Sequence, residues 1–448
     1  MSVYAYRRTL ATLAVAAAFH APALADEAPA VPAEKPAAEA PAKKVEAEIY
    51  NSEVFKTYLA VVREITPLVD ESDPRATIQA LTTFDFTPDT KQKLAKLFGN
   101  DKPLHITATP GDDGGTSVDF MLDPLHYDSE DGKLHADWTG ITAKSVYDKT
   151  YTHVETNGHS DAFTLSVPDG KQMAVKNITL HGSMRQDAAK LWLGSVHVDA
   201  DSATIGKPAA LVSLSGISAK INILPVAKAK ALDIEYDTAI NSIGWGSEQA
   251  GPVRMDVRLN HVDEQAFVDM KNDSRKLNVQ SLSPEERQNQ SMQLMMRFGM
   301  QALARGVGVD IKNLSVQYHG KEAGITGHVV AKPMTMVELQ DYKVASKKVT
   351  ARVDVYVPMA MALDVATTIF SQVSKGQGSP GLTDDQMHEM AKSMLDGQLK
   401  KMQSEHYVRV DKDVIRTTLE FKGGKFLVNG RNVDMPTFKL PAKAAKKG

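Results

Sequence analysis

A chain of 448 residues with 42% hydrophobic and 24% charged residues has a globular composition and is long enough for more than one core or one extended sheet. Its formal net charge of −3 offers no basic field for nucleic acid or for an anionic membrane surface. The absence of cysteine excludes disulfides, thiolate metal sites, thiol nucleophiles and acylation of an N-terminal lipoprotein cysteine.

The chain opens with an export signal. Arg7 and Arg8 form a positive start, Thr9 to Phe19 is an apolar run too short to span a bilayer, and Pro22 breaks the helix before Ala23-Leu24-Ala25. Ala23 and Ala25 are the small residues of a cleavage site, so residues 1–25 read as a signal peptide and Asp26 as the mature start. The residues after the arginine pair, Thr9-Leu10-Ala11, favour a Sec-type over a twin-arginine signal. A soluble, periplasmic mature protein without a membrane span is the expectation. Residues 26–47 carry Pro29, Pro32, Pro36 and Pro41 among Ala, Glu and Lys, the composition of a disordered spacer.

A helical segment follows over 48–104. Val54, Tyr58, Val61, Val62 and Ile65 recur at helical spacing until Pro67, and a second helix spans Asp89 to Leu97, between Pro88 and Gly99. From residue 105 to 357 the pattern turns to strands with a period of about two. Strands are expected at His105 to Thr109, Ser117 to Leu122, Lys133 to Trp138, Lys144 to Thr156, Lys171 to Gly182, Lys190 to Asp199, Leu211 to Leu224, Ala231 to Ile240 and Val253 to Val262. Phe163 and Leu165 alternate with polar neighbours in the same way, and Leu165, Ile234 and Val257 are expected on the covered face. At Gly194 and Gly216 the alternation shifts phase, as a β-bulge would produce. A helix from Pro284 to about Arg305, with Ser283 as N-cap, interrupts the run, and strands resume at Ile311 to His319, Ala323 to Ala331 and Val349 to Val357.

Residues 358–432 read as C-terminal helices and strands. One helix runs from Pro358 to about Ser374. Gly376, Gly378 and Gly381 make a joint, and Thr383-Asp384-Asp385-Gln386 is a capping box for a helix ending near Ser404. Strands at Tyr407 to Asp411, Val414 to Phe421 and Lys425 to Val428 lead to the turn signal Asn429-Gly430, and residues 433–448 form a Lys-rich tail. The expected fold class is α+β, mostly antiparallel β: a long, curved, meandering sheet with a few packed amphipathic helices.

Three segments carry a family resemblance: Asp137-Trp138-Thr139-Gly140-Ile141-Thr142, Leu191-Trp192-Leu193-Gly194, and Gly423-Gly424-Lys425-Phe426-Leu427-Val428-Asn429-Gly430. With the order of elements around them, they resemble the bacterial YdgA-like envelope family, a domain of unknown function. The resemblance covers most of the mature chain. It implies an envelope location and mostly β architecture, and supplies no catalytic residues. Such proteins tend to keep an N-terminal membrane anchor, where this chain has a cleavage site and a spacer.

No catalytic constellation emerges. His153, His159, His181 and His197 share no ligand spacing, and solvent-facing strand positions explain them more simply than a zinc site. His388-Glu389 starts a zincin-like motif, but Lys392 stands where the second histidine belongs. Asp128-Ser129-Glu130-Asp131-Gly132 lacks calcium-loop spacing, and Gly158-His159-Ser160-Asp161-Ala162 lacks the final glycine of a hydrolase elbow. Neither a phosphate-binding glycine loop nor a dinucleotide fingerprint is present. The expectation is therefore a non-enzymatic protein with no cofactor and no metal. Two methionine sets, Met292, Met295, Met296, Met300 and Met387, Met390, Met394, fall at helical spacing, either as core faces or as pliable surfaces for an apolar ligand or partner. Because one face of an alternating sheet must be covered, the leading function is a β-trough that contacts lipid or another apolar ligand. The alternative is a structural or interaction protein of the envelope without a small-molecule ligand.

The signal predicts where the mature chain starts. N-terminal sequencing of protein from an envelope fraction is expected to begin at or near Asp26, and intact Met1 on membrane-embedded material would contradict it.

Overall fold

The structure is a computed structural model. It describes residues 53–433 apart from 133, 168–169, 209, 228, 280–281, 283 and 377–382. The cleavage-site residues Ala23, Ala25 and Asp26, the spacer, Ser283, most of the glycine joint and the Lys-rich tail lie outside the described residues. The fold is α+β and mostly antiparallel: every recorded strand pairing is antiparallel. The chain divides into two compact units at Ala302/Leu303, inside the expected 105–357 segment.

The first unit begins with α1 (Glu53–Ile65), α2 (Pro74–Thr82) and α3 (Pro88–Phe98). Sequence reasoning missed α2, although Asp73 caps it by accepting the amide of Ala76 at 3.0 Å and Pro74 opens it. At the end of α3, Gly99 takes the left-handed conformation at φ 72°, which only glycine adopts without steric cost. Ile65, Leu81 and Leu94 from these helices and Phe86 from the loop between α2 and α3 form one core with Leu104 and Ile106 of β1.

Strands β1 (Leu104–Pro110), β2 (Thr116–Leu122) and β5 (Ile141–Tyr147) pair in that order. A hairpin of β3 (Leu125–Asp128) and β4 (His135–Trp138) is inserted between β2 and β5. β4 and β5 then share one edge of β6 (His153–Ser166), along successive stretches. The strand expected over Lys144 to Thr156 is in fact two. Asp148 folds a loop there by accepting the amides of Thr152 and His153 at 2.8 and 3.0 Å, and Tyr151 sits at φ 58°. A regular meander follows: β7 (Gln172–Gln186), β8 (Trp192–Lys207), β9 (Ala210–Pro225), β10 (Ala231–Trp245) and β11 (Glu248–Asp263).

Cross-strand register aligns the apolar positions into rows. One row is Leu180, Val198, Ala219, Thr238 and Met255; another is Ile178, Ala200, Ile217, Ile240 and Val253. Along each strand this inner face slips by one residue at a common level. Val175 and Ile178 of β7 are both buried although three apart, as are Ala200 and Ala203 of β8. The residues at the slip, Asp161, Asn177, Asp201, Gly216 and Asn241, drop out of the pairing while the register either side is unchanged. Asn177 and Gly216 take φ of 51° and 56°, and the Asn177 amide donates to Asp201 at 2.6 Å. The phase shift expected at Gly216 is therefore present, but as a crease shared by neighbouring strands instead of a bulge in one pair. None occurs at Gly194: Trp192, Gly194, Val196 and Val198 keep step, pairing with Gln186, Met184, Gly182 and Leu180. Gly194 instead answers a close approach, since a Cβ there would lie 3.1 Å from the Met184 Cα. The register shift within this meander lies at Leu232/Ile234, where Asp233 accepts the amide of His261 at 2.8 Å and holds Arg258 at 2.6 Å.

Two helices close the unit's sequence, α4 (Glu264–Val279) and α5 (Pro284–Arg305). α4 was not foreseen. Asp263 caps it straight off β11, accepting the amide of Ala266 at 2.9 Å, with no Gly or Pro to mark the change of period. Lys271 meets Glu71 at 2.6 Å, and Arg275 donates to the carbonyls of Thr66, at 2.8 Å, and Val69.

The second unit pairs β12 (Val307–Tyr318), β13 (Lys321–Ala331), β14 (Val349–Pro358) and β16 (Val414–Lys422) in order. β15 (Arg409–Asp411) and β17 (Lys425–Val428) pair with successive stretches of β16, and β18 (Arg431–Val433) pairs with β17. Gly423-Gly424 and Asn429-Gly430, all at positive φ, are the two-residue turns of these last hairpins. Two short helices, α6 (Met336–Gln340) and α7 (Tyr342–Ala345), precede β14 and were not expected. α8 (Met359–Gly376) packs with α9 (Asp384–Ser404), whose Thr383/Gln386 capping box forms as expected.

The crease and the buried face can be tested in urea. Asn177→Gly is expected to cost about 0.5 kcal/mol or less, whereas Asn177→Val should cost roughly 2 kcal/mol because a β-branched side chain resists positive φ. Ile234→Asp should cost roughly 3 kcal/mol or more, against about 0.5 kcal/mol or less for Thr164→Ser. Equal effects within either pair would refute the conformation or the register.

Candidate functional site

The apolar inner face of the meander is the largest candidate surface. It is closed on one side and half open on the other. Across β7 and β8, Val175, Leu180, Val198 and Ala203 are buried, packed with Ile141 of β5 and with Phe120 and Leu122 of β2. At one end Ile78 of α2 joins Tyr147, Val154, Met184 and Trp192. The rows continue onto β9, β10 and β11 with the same chemistry: Ile221, Tyr236 and Val257, then Ala219, Thr238 and Met255, then Ile217, Ile240 and Val253. All nine of these residues are only half-buried. Ile223, Leu232, Ile234 and Val262 close the α4 end of this region, at 1–4% exposure. Burial pushes the Tyr236 phenol up from its ordinary pKa, so this ring stays neutral at any physiological pH. A half-covered aliphatic and aromatic strip without charge can hold an apolar chain by area alone, with no directional contact.

The three foreseen inward residues share this face: Leu165 pairs with Met173, Ile234 with Ile223 and Leu259, and Val257 with Tyr236. The methionine sets divide. In α5, Met292, Met295, Met296 and Met300 are 43–62% exposed, so their face is a surface and not a core. In α9, Met387 is buried on a stripe with Ala391 and Leu399, while Met390 and Met394 are exposed. A shallow cleft of about 430 Å³ between α4 and α5 has a mixed lining, with Leu277 and Leu294 beside Asp273, Lys276, Gln290, Gln293 and Arg297.

The four histidines weighed from the sequence do not converge. His153 lies 3.4 Å from Ser183, His159 2.6 Å from Asp161, His181 2.7 Å from Asn157, and His197 2.9 Å from Ser218 and 3.0 Å from Asp199. Two others, unremarked in the sequence, face each other across the β3–β4 hairpin: His126 is directly opposite Asp137, and Asp128 opposite His135. Hydrogen bonding to Asp128, and then to Asp137, raises the pKa of His135, while the His126 hydrogen bond lowers that of Asp137. A signal was available: His-x-Asp occurs at 126–128 and again at 135–137, a spacing that puts both residues of each strand on one face.

Of the segments behind the family resemblance, two place a tryptophan at a structural joint. The Trp138 indole donates to Ser160 at 2.8 Å, and Ser160 in turn to the Gly140 carbonyl at 2.7 Å, fixing the corner between β4 and β5. The Trp192 indole donates to the Glu71 carbonyl at 3.1 Å and Trp192 is 2% exposed. Residues 76–436 match the profile of a family described as bacterial protein of unknown function, DUF945. Protein YdgA of Escherichia coli strain K12 is similar, 20% identical over 375 residues that cover 78% of this chain and 71% of the relative. No solved structure matches.

Proposed function

This chain belongs to the DUF945 family of bacterial proteins of unknown function, to which the YdgA-like resemblance pointed, and on that premise we propose that it is an exported, non-enzymatic envelope protein that holds acyl chains on the inner face of its meander. The observation that carries the reading is the mismatch between chemistry and cover. The rows stay largely apolar from β7 to β11, yet the cluster packed with β2 and β5 extends no further than Leu214 and Ile217 of β9, and Ile240, Val253 and Met255 beyond it are only half-buried. Each Å² of apolar surface left to water forgoes roughly 25 cal/mol, so an acyl chain laid along Ile217, Ile240 and Val253 would recover free energy without polar recognition. A periplasmic location is supported by the Arg7-Arg8 start, the short apolar run and the Ala23-Leu24-Ala25 site. No helix among the described residues is long and apolar enough to cross a membrane.

Protein purified without detergent is expected to yield phospholipid or fatty acid in stoichiometric amount on organic extraction and mass spectrometry. Met255→Gln and Ile240→Asn, on the half-open side, should reduce that load several-fold while the far-UV spectrum is retained. Lipid-free protein from native membranes, with the β9–β11 face buried in a second copy, would overturn the reading in favour of a structural role.

A further inference from the structure

We propose that the outer face of the β3–β4 hairpin is a binding site for a divalent transition-metal cation of the zinc type, with His126, His135 and Asp137 as ligands and Asp128 orienting His135. These three ligands form the only group of three or more His, Asp or Glu side chains among the described residues whose donor atoms all lie within 4.8 Å of one another. The Asp137 carboxylate reaches both rings, with one oxygen 2.5 Å from His126 Nδ1 and the other 2.5 Å from His135 Nε2. Asp128 lies 2.7 Å from the remaining ring nitrogen of His135, Nδ1. A carboxylate on one imidazole nitrogen fixes the ring and presents the other nitrogen, the arrangement that supports histidine ligands in metal sites.

The scaffold under these side chains is rigid. Between the donors, Tyr127 and Ala136 point the other way and are 6% and 0% exposed, packed with Leu97 of α3 and Leu125. Pairing of His135 with Ser166 and of Asp137 with Thr164 ties β4 to β6. The donor side chains themselves are reachable from solvent, with His126 70%, His135 37% and Asp137 47% exposed. Two imidazoles and one carboxylate suit zinc, nickel or copper; calcium and magnesium prefer all-oxygen sites. Zinc bonds of about 2.0–2.1 Å in a tetrahedral site put donors roughly 3.3 Å apart, so each carboxylate–imidazole contact would open by about 0.8 Å while the two ring donors, now within 4.8 Å, settle at that spacing. Three protein ligands leave the fourth position to water.

The same tripeptide elsewhere supplies an internal control. His159 and Asp161 repeat the His-x-Asp spacing on β6, but that pair is not joined by a second histidine.

The test is titration of the full chain, stripped with a chelator, with zinc chloride in competition with a chromophoric indicator, and in parallel with cobalt chloride followed by its visible d–d bands. One ion per chain is expected, with a tetrahedral cobalt spectrum. His126→Gln, His135→Gln or Asp137→Asn should abolish that stoichiometric binding. Asp128→Asn should weaken it about 10-fold or more, and His159→Gln should leave it unchanged. Thermal melts of each variant without metal confirm folding, and added zinc should raise the Tm of the parent and of His159→Gln but not of the ligand variants. Absence of stoichiometric zinc in the parent, or zinc retained at parental affinity by folded His135→Gln and Asp137→Asn, would overturn the proposal.

Discussion

The constraint on which the first unit depends is that one face of a wide sheet must stay apolar over its whole length. A strand's side-chain period is two, so a slip of one residue in a single strand would turn its whole apolar set to solvent beyond that point. Here the slip happens in β6, β7, β8, β9 and β10 at one level, through Asp161, Asn177, Asp201, Gly216 and Asn241. Each strand's error is thus its neighbour's error too, and the rows resume in register: Phe163, Val175, Ala203, Leu214 and Ile243 continue the face beyond the crease. The residue types fit this account. Asparagine and glycine are the residues that tolerate the left-handed backbone found at 177 and 216, and the slip positions on β6, β7, β8 and β10 are exposed.

The sheet's own strands β2 and β5 cover part of this face over β7 and β8, and the helices take the rest of the task unequally. α2 sends Ile78 onto the Tyr147–Trp192 cluster, while the loop after α1 becomes a junction. The Glu71 carbonyl accepts from Gln186 at 2.8 Å and from Trp192 at 3.1 Å, and its carboxylate meets Lys271 of α4. Two distant parts of the sequence, the β7–β8 hairpin and α4, therefore converge on one residue. Glu71 keeps only 9% of its side-chain exposure, so its contact with Lys271 is a largely buried ion pair, which matters more than a pair at the surface. Cover is concentrated near β6–β8 and the α4 end, and Ile240 and Val253 between them are only half-buried.

What could be read from the sequence was what local chemistry enforces. Period-two patterning placed most strands, Gly99 and the Thr383/Gln386 box marked helix ends, and Asn429-Gly430 marked a hairpin. The misses have physical causes. α4 begins on Asp263 with no break between strand and helix, and its Asn, Asp and Ser content lowers its intrinsic propensity. The loop at Asp148 is made by one carboxylate accepting two amides, which alternation does not report. The methionines of α5 have helical spacing, but spacing alone does not say which face the rest of the fold leaves exposed.

The β3–β4 hairpin shows why a site of this kind escapes sequence reading while following directly from sheet geometry. Two short His-x-Asp tripeptides are unremarkable until the register sets His126 opposite Asp137 and Asp128 opposite His135. Alternation then does two things at once. It sends Leu125, Tyr127 and Ala136 into the core beside Leu97, and for the same reason it must gather both histidines and both aspartates on the opposite face. A one-residue change of register would separate the four donors and expose the core residues together, so the integrity of the fold and the constellation on its surface are a single structural condition.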